Sequence, residues 1–355
     1  MRIELMTLKD EPMYEALSAS CEESLLYTSL QYRDFLKAFL PQAKDCYLVA
    51  IDGMDMIGAL PAFSFTGEYG TVINSLPFYG SNGGVIVHPK ASDSRRIKTH
   101  LIFAFQDLAL QRKAVASTII TSPYETDLPI YEETSYTAID ERIGQISCLP
   151  NHLDHIEDID QLLLEQYHYK TRNMVRKAQK QAMKVHHAED NKILETLCQI
   201  HTDNMNTIGG RAKPWSFFCA VRDHFRYGDQ YRVYFAEFEN KIVAALLLIY
   251  YNKTVEYYTP AIVAEYRSLQ PLSAIIHKAM HDACLDGYRY WNWGGTWKSQ
   301  DGVYLFKNRW GAADKPYRYY ITENTQFGSF RHLKKEVLEA SYPMFYTIPY
   351  ACLEE

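Results

Sequence analysis

Between residues 291 and 311 the chain reads WNWGGTWKSQDGVYLFKNRWG, a tryptophan and glycine pair followed by two cations set among aromatic residues. Glycines at Gly294 and Gly295 permit a tight turn beside Trp293 and let a ligand approach backbone amides closely. The run 302–311 reads as a strand, with Lys307 and Arg309 on one face and Phe306, Asn308 and Trp310 on the other. A cation among apolar neighbours is seldom left without an anion, so Lys307 is expected to meet an oxyanion, with Arg309, Phe306 and Trp293 lining the substrate. Oxyanion stabilisation is one requirement of acyl transfer to an amine, which also needs an uncharged nucleophile and a donor with a good leaving group. Tyr257 and Tyr258 are successive residues of an extended stretch, TVEYYTP, so one of them faces the cleft as proton relay or hydrogen-bond donor. No general base stands out.

A second constellation is electrostatic. Residues 167–185, YHYKTRNMVRKAQKQAMKV, contain six basic residues and no acidic one in a chain of formal net charge -6. At helical spacing Arg172, Arg176, Lys180 and Lys184 stack on one face with Lys177 beside them, while Met174, Val175, Ala178 and Ala182 take the other. A local reversal of sign predicts attraction of a phosphorylated partner, such as a nucleotide sugar, coenzyme A or tRNA, with Arg172, Arg176 and Lys177 on the phosphates. Arg267 opens a third anion candidate, RSLQPL, ahead of a helix. Acetyltransferases commonly cradle pyrophosphate there with an R/Q-x-x-G-x-G/A loop. Here Gln270 and Leu272 replace the small residues and Pro271 removes an amide, so the cradle is incomplete.

These groups must be positioned by strands and helices, and the chain supplies them twice. Residues 47–63 form a strand, a turn at Asp52-Gly53 and a second strand with small residues in its middle; residues 234–250 repeat the plan with a turn at Glu239-Asn240. Setting Ala50 on Ala236 brings Ile57 onto Val243, Ala59 onto Ala245 and Leu60 onto Leu246, an offset of 186 residues and close to half of the 355-residue chain. A third extended stretch follows each hairpin, at 71–75 and 254–260. Helical patterns come next, at 94–112 and 271–286, the latter with Pro271 in its first turn and Gly287 at its end. A strand over 288–293 leads into the glycine pair. The length and the repeat predict two domains, 1–150 and 151–355, divided near the polar stretch LPNHLDHIEDID at 149–158.

Several chemistries lack support. The seven cysteines form no CxxC pair, and Lys278 stands between His277 and His281 where HExxH has glutamate, so no metal site is expected. There is no GxSxG, GxGxxG or P-loop match. A charged N-terminus and the lack of any apolar run near the ~18 to 20 residues of a membrane span predict a cytoplasmic protein. The aromatic C-terminal stretch SYPMFYTIPYACL suits packing onto the second domain.

The motifs KTRNMVRKA, NWGGT and FKNRWGA, with SLPFYGSNGGVIV in the first half, resemble the Fem-type peptidyltransferases and related acetyltransferase-like (GNAT superfamily) proteins of polysaccharide gene clusters. The resemblance runs over about residues 26–320. It implies an α+β chain of two tandem GNAT-like domains, each a mixed, mainly antiparallel sheet flanked by helices. It implies transfer of an acyl or aminoacyl group to an amine of a cell-envelope or polysaccharide precursor, an amino sugar or a peptide. Lys307 corresponds to the family's lysine at the reacting carbonyl. No cofactor is held permanently; acyl-coenzyme A or aminoacyl-tRNA is the co-substrate, the acceptor is a small-molecule or lipid-linked sugar or peptide, no DNA is involved and membrane contact is peripheral at most. Two other readings stand beside this one: a tRNA-dependent peptidyltransferase of peptidoglycan, weakened because the sequence lacks the heptad-patterned insertion for a helical arm, and a non-catalytic binding protein that retains the fold.

Overall fold

Tight turns and apolar alternation generate the strands. The structure is a computed structural model that describes residues 1–78, 80–150, 159–297 and 300–354. In chain order the first part forms β1 (Arg2–Leu5), α1 (Glu11–Ser20), α2 (Leu30–Phe39), β2 (Lys44–Asp45), β3 (Leu48–Asp52), β4 (Asp55–Leu60), β5 (Phe63–Gly67), β6 (Gly70–Ser75), β7 (Ile86–Val87), α3 (Ser94–Gln111), β8 (Ala114–Ile120) and β9 (Ala138–Cys148). The second part forms α4 (Ile159–Gln166), α5 (Tyr169–Gln179), β10 (Lys184–His187), α6 (Asn191–Thr207), α7 (Trp215–His224), β11 (Tyr231–Phe238), β12 (Lys241–Tyr251), β13 (Thr254–Ile262), α8 (Pro271–Leu285), β14 (Tyr290–Thr296), α9 (Asp301–Asn308), β15 (Ala313–Glu323) and α10 (Lys335–Ser341).

Two compact units result, Met1–Arg142 with Pro316–Glu355, and Ile143–Lys315. In the first unit, one sheet has the order β1-β3-β4-β7 and another runs β15-β8-β6-β5-β2. Leu101, Ile102 and Phe105 of α3 pack into its core with Leu48, Leu60 and Ile73. In the second unit the order is β10-β11-β12-β13-β14-β9. There β12, KIVAALLLIYY, is buried without interruption from Val243 to Tyr250 because α8 covers one face and α6 the other. Ile275, Ile276, Ala279, Met280 and Ala283 of α8 meet Leu246, Leu248 and Trp291, and α4 and α5 pack against α8 in turn.

The duplication expected from the hairpins extends to hydrogen-bond register. Ala50 pairs with Gly58 and Ala236 with Ala244; Asp52 pairs with Asp55 and Phe238 with Lys241. Both hairpins carry a bulge at the same place, between Ala50 and Ile51 and between Ala236 and Glu237. Four-residue strands, β1 and β10, add to the outer edges against β3 and β11. In each unit a later strand of the meander then pairs in parallel with the strand that follows the helix, β6 with β8 and β13 with β14. A shared bulge is a specific inheritance, since bulges re-aim a strand and do not arise from composition.

The repeats differ in how the segments are shared. The expected division at 150/151 gave 151–355 to one domain, whereas residues 316–355 pack within the first unit, because Tyr319–Glu323 pair with β8. The aromatic tail follows them: Tyr342 donates to the Gly70 carbonyl, and Asn74 both donates to and accepts from the Tyr346 backbone. It therefore caps β5 and β6 of the first unit, where the sequence suggested packing onto the second domain. Residues 151–158 of the proposed linker lie outside the described residues.

The second hairpin places two non-glycine residues at positive φ, Glu239 at 50° and Asn240 at 60°. This is the geometry that Asn-Gly satisfies best. Replacing Glu239-Asn240 by Asn-Gly should raise stability by about 1 kcal/mol, read as a higher urea midpoint at unchanged slope.

Candidate active site

The second unit's sheet is parted at one place. Parallel pairing of β13 with β14 covers only Thr254–Tyr290, Val255–Trp291 and Glu256–Asn292. Beyond it β14 bulges, with Gly294 at φ 73°, while its other edge stays paired with β9 from Tyr290–Cys148 to Thr296–Ile143. On the other side β13 bulges at Tyr258, where Leu248 faces Tyr257 and Leu247 faces Thr259. Bulges bend the strands that carry them, and here they leave the outer edge of 257–262 facing an opening. The space around Gly294 is empty within 4 Å of a Cβ, so its glycine serves the left-handed backbone and not a close approach. In the first unit the equivalent strands stay paired from Thr71–Ala114 to Ser75–Ile119, and Ile120 N–H donates to Ser75 Oγ at 2.9 Å, so among the described residues these two strands stay closed.

Freed backbone groups of β13 are taken by side chains. Ile262 donates to Asn204 Oδ1 at 3.0 Å and accepts from Asn204 Nδ2 at 2.8 Å. Val263 N–H points to β12, so alternation turns 260 and 262 outward, and Pro260 has no N–H to satisfy. Lys213 Nζ donates to the Tyr258 carbonyl at 3.3 Å and to Thr259 Oγ1 at 3.1 Å. At the root of the opening Glu256, 1% exposed, accepts from Asn292 Nδ2 at 2.9 Å, while Asn292 Oδ1 accepts from the Gly294 amide at 2.9 Å.

The run 302–311, expected as a strand, is helical through Asn308. Phe306 and Trp310 thus fall one turn apart on the inner stripe, and Lys307 is carried inward beside them, 6% exposed. Lys307 Nζ donates to the carbonyls of Gly294 (3.2 Å) and Gly295 (3.0 Å) and to Thr296 Oγ1 (2.8 Å). An ammonium has three donors, and all three are engaged in closing the β14 bulge. With no offsetting carboxylate, burial pulls its pKa down to about 8.

The remaining expected residues separate into groups. Trp293 donates through Nε1 to Ser147 Oγ at 2.9 Å and packs against Tyr257, Phe306 and Trp310, so Trp293 and Phe306 build the wall behind Lys307. Burial pushes the Tyr257 hydroxyl well above the usual tyrosine range. Tyr258 lies on the opposite face, stacked on Phe217 at 5.9 Å, as the alternation of the strand requires. Arg172 donates to the Tyr167 carbonyl at 2.6 Å and so caps α4, which removes it from the exposed cations. Arg176 and Lys177 are exposed on α5, but the helix ends at Gln179, so Lys184 belongs to β10 and not to that face. Arg267 is exposed in the turn before α8; Gln270 adopts φ 63° and Pro271 starts the helix. Arg309 ends α9, its carbonyl accepting from His168 N–H. His277 bonds Tyr167 at 3.3 Å and lies 3.4 Å from Asp160, and the described residues contain no group of three metal-ligating side chains. Glu256, Asn292, Asn204 and Lys213 escaped the sequence reading, although Glu256 is a lone acid in an apolar strand.

Residues 166–308 match the family described as acetyltransferase (GNAT) domain. No curated protein matches the sequence. Among solved structures, FemX superposes with a TM-score of 0.71 at 14% identity, covering 90% of this chain and 97% of its own. L-PGS from Bacillus licheniformis gives 0.56 at 13% identity, covering 96% and 98%. A tandem GNAT protein from the clavulanic acid biosynthesis pathway gives 0.51 at 11% identity, covering 91% and 98%. At these identities the likeness is one of fold, and it spans both repeats. No helix among the described residues is long and apolar enough to cross a membrane. Residues 166–308 are thus similar to the acetyltransferase (GNAT) domain family, and the chain as a whole shares the fold of FemX and of the tandem GNAT protein.

Proposed function

We propose that the chain is an N-acyltransferase whose reaction takes place in the opening between β13 and β14, with an amino sugar or peptide of a cell-envelope or polysaccharide precursor as acceptor and the cytoplasm as its place of action. The observation that carries this reading is the parting of the two strands in the second unit alone, with a buried carboxylate at its root and Lys307 on its β14 lip. The neutral amine attacks the donor's acyl carbon, forming the new C–N bond. The carbonyl oxygen takes up negative charge in the positive potential of Lys307, and Glu256 accepts the proton that the nitrogen sheds. Collapse of the tetrahedral intermediate breaks the bond to the leaving group. Tyr257, with its proton firmly held, acts as a hydrogen-bond donor at most.

The donor is the open choice between an acyl-coenzyme A and an aminoacyl-tRNA. The incomplete cradle at Arg267–Leu272 disfavours the first, the missing insertion for a helical arm disfavours the second, and the exposed Arg176 and Lys177 on α5, with Lys180 just after it, suit either phosphorylated donor. Incubating the protein and candidate amines with a panel of acyl-coenzyme A thioesters and with charged tRNA, and weighing the products, decides it. Steep loss of tRNA binding with added salt supports the second donor, and no binding at low salt excludes it. Consumption of no donor in any combination favours the non-catalytic reading.

Two results are expected of Lys307. Lys307→Ala should lower kcat by about 10²- to 10³-fold; a folded variant with full activity refutes the assignment. A lysine whose pKa falls on folding binds fewer protons in the native than in the unfolded state between about 8 and 10.5, so stability rises with pH across that window. Measured against Lys307→Met in urea, the wild type should therefore gain up to about 3 kcal/mol between pH 7.5 and 10.5. A pH-independent difference overturns it.

A further inference from the structure

Lys213 stands on the β13 side of the opening, in the segment between α6 and α7. Its ammonium lies 5.5 Å from the ring centre of Phe217 and 5.3 Å from that of Tyr258. Among the described residues no carboxylate pairs with it, and burial alone pulls its pKa down to about 8. Lys307 shares that isolation, but its three donors are all engaged. Lys213 has two acceptors, the Tyr258 carbonyl and Thr259 Oγ1, which leaves one N–H for a ligand.

Capping the freed edge of β13 does not require a charge. Asn204 does the same task at Ile262 with a neutral amide, making both hydrogen bonds at 3.0 Å or less. A desolvated cation in the neighbouring position costs stability that an amide would not. The charge is accounted for when a ligand brings the missing anion, because an ion pair in a partly desolvated opening is far stronger than one on the surface. Arg211, exposed two residues earlier on the same segment, adds positive potential at the entrance.

We propose that Lys213 binds a standing negative charge of the substrate, a phosphate or carboxylate group that enters the opening between β13 and β14. The inference rests on reading that opening as the acyl-transfer site, and it assigns Lys213 to substrate recognition while Lys307 answers the charge that develops during reaction.

The test is calorimetric titration of the intact protein with inorganic pyrophosphate and, separately, with acetate, at pH 7. The wild type should bind one of them saturably, and the anion that binds tells phosphate from carboxylate. Lys213→Gln keeps hydrogen-bond donors for Tyr258 and Thr259 without the charge; it should weaken binding at least tenfold at a urea midpoint no lower than that of the wild type. Lys213→Arg should restore binding, and Lys241→Gln, at an exposed position beside the β11–β12 turn, should leave it intact. Binding by Lys213→Gln equal to wild type, or loss that Arg does not rescue, overturns the proposal, as does a wild type that binds neither anion. Because binding is read without turnover, the two readings fail separately. A wild type with Lys213-dependent anion binding and no transfer activity sinks the function and spares the site; transfer whose KM ignores Lys213→Gln does the reverse.

Discussion

Every backbone amide and carbonyl that a sheet releases must be bonded again, and the second unit is organised around that obligation. Where β13 and β14 part, each keeps its partner on the far edge, β12 and β9, and the carbonyls of the β14 bulge are gathered by Lys307. The facing edge of β13 gains no strand. That edge is satisfied by Asn204, by Lys213 and by a proline that has nothing to donate. The side chains that shape the opening are thus the ones that make it tolerable, which ties stability and function to the same residues.

The two repeats show that this opening is a modification of a common plan. Their hairpins agree in register and in the position of a bulge, yet β6 and β8 remain paired for five positions, sealed by Ser75, where β13 and β14 pair for three. One copy of the frame kept its sheet closed and took on the C-terminal tail across β5 and β6. The other kept an opening with a buried carboxylate and two lysines lacking acids around it.

Much of this frame could be read from the residues. Small residues at fixed offsets revealed the hairpins, and Pro271 with Gly287 delimited α8 almost to the residue. The segment 302–311 misled for a physical reason: over barely two turns, periods of 2 and 3.6 are hard to tell apart, and a lysine carried inward beside Phe306 and Trp310 mimics the polar half of a strand. Val303 and Leu305, apolar yet exposed, blurred the stripe further. Arg172 looked free because its acceptors are helix-end carbonyls, which no side-chain pattern announces. Lys213 and Asn204 lie in an ordinary segment between helices, and their meaning comes only from the strand edge they reach. The aromatic tail illustrates the same limit, since composition tells that it packs and not on which surface.

Each compact unit is finished by chain that belongs, in sequence order, with the other repeat: residues 316–323 complete the sheet of the first, and 143–148 that of the second. A gene that arose by duplication normally keeps the option of shedding one copy. Here that option is gone, because deleting either half would strip the survivor of the last strand of its sheet and expose the ladder beside it. The exchange acts as an evolutionary ratchet, holding the sealed repeat in place for as long as its partner is under selection.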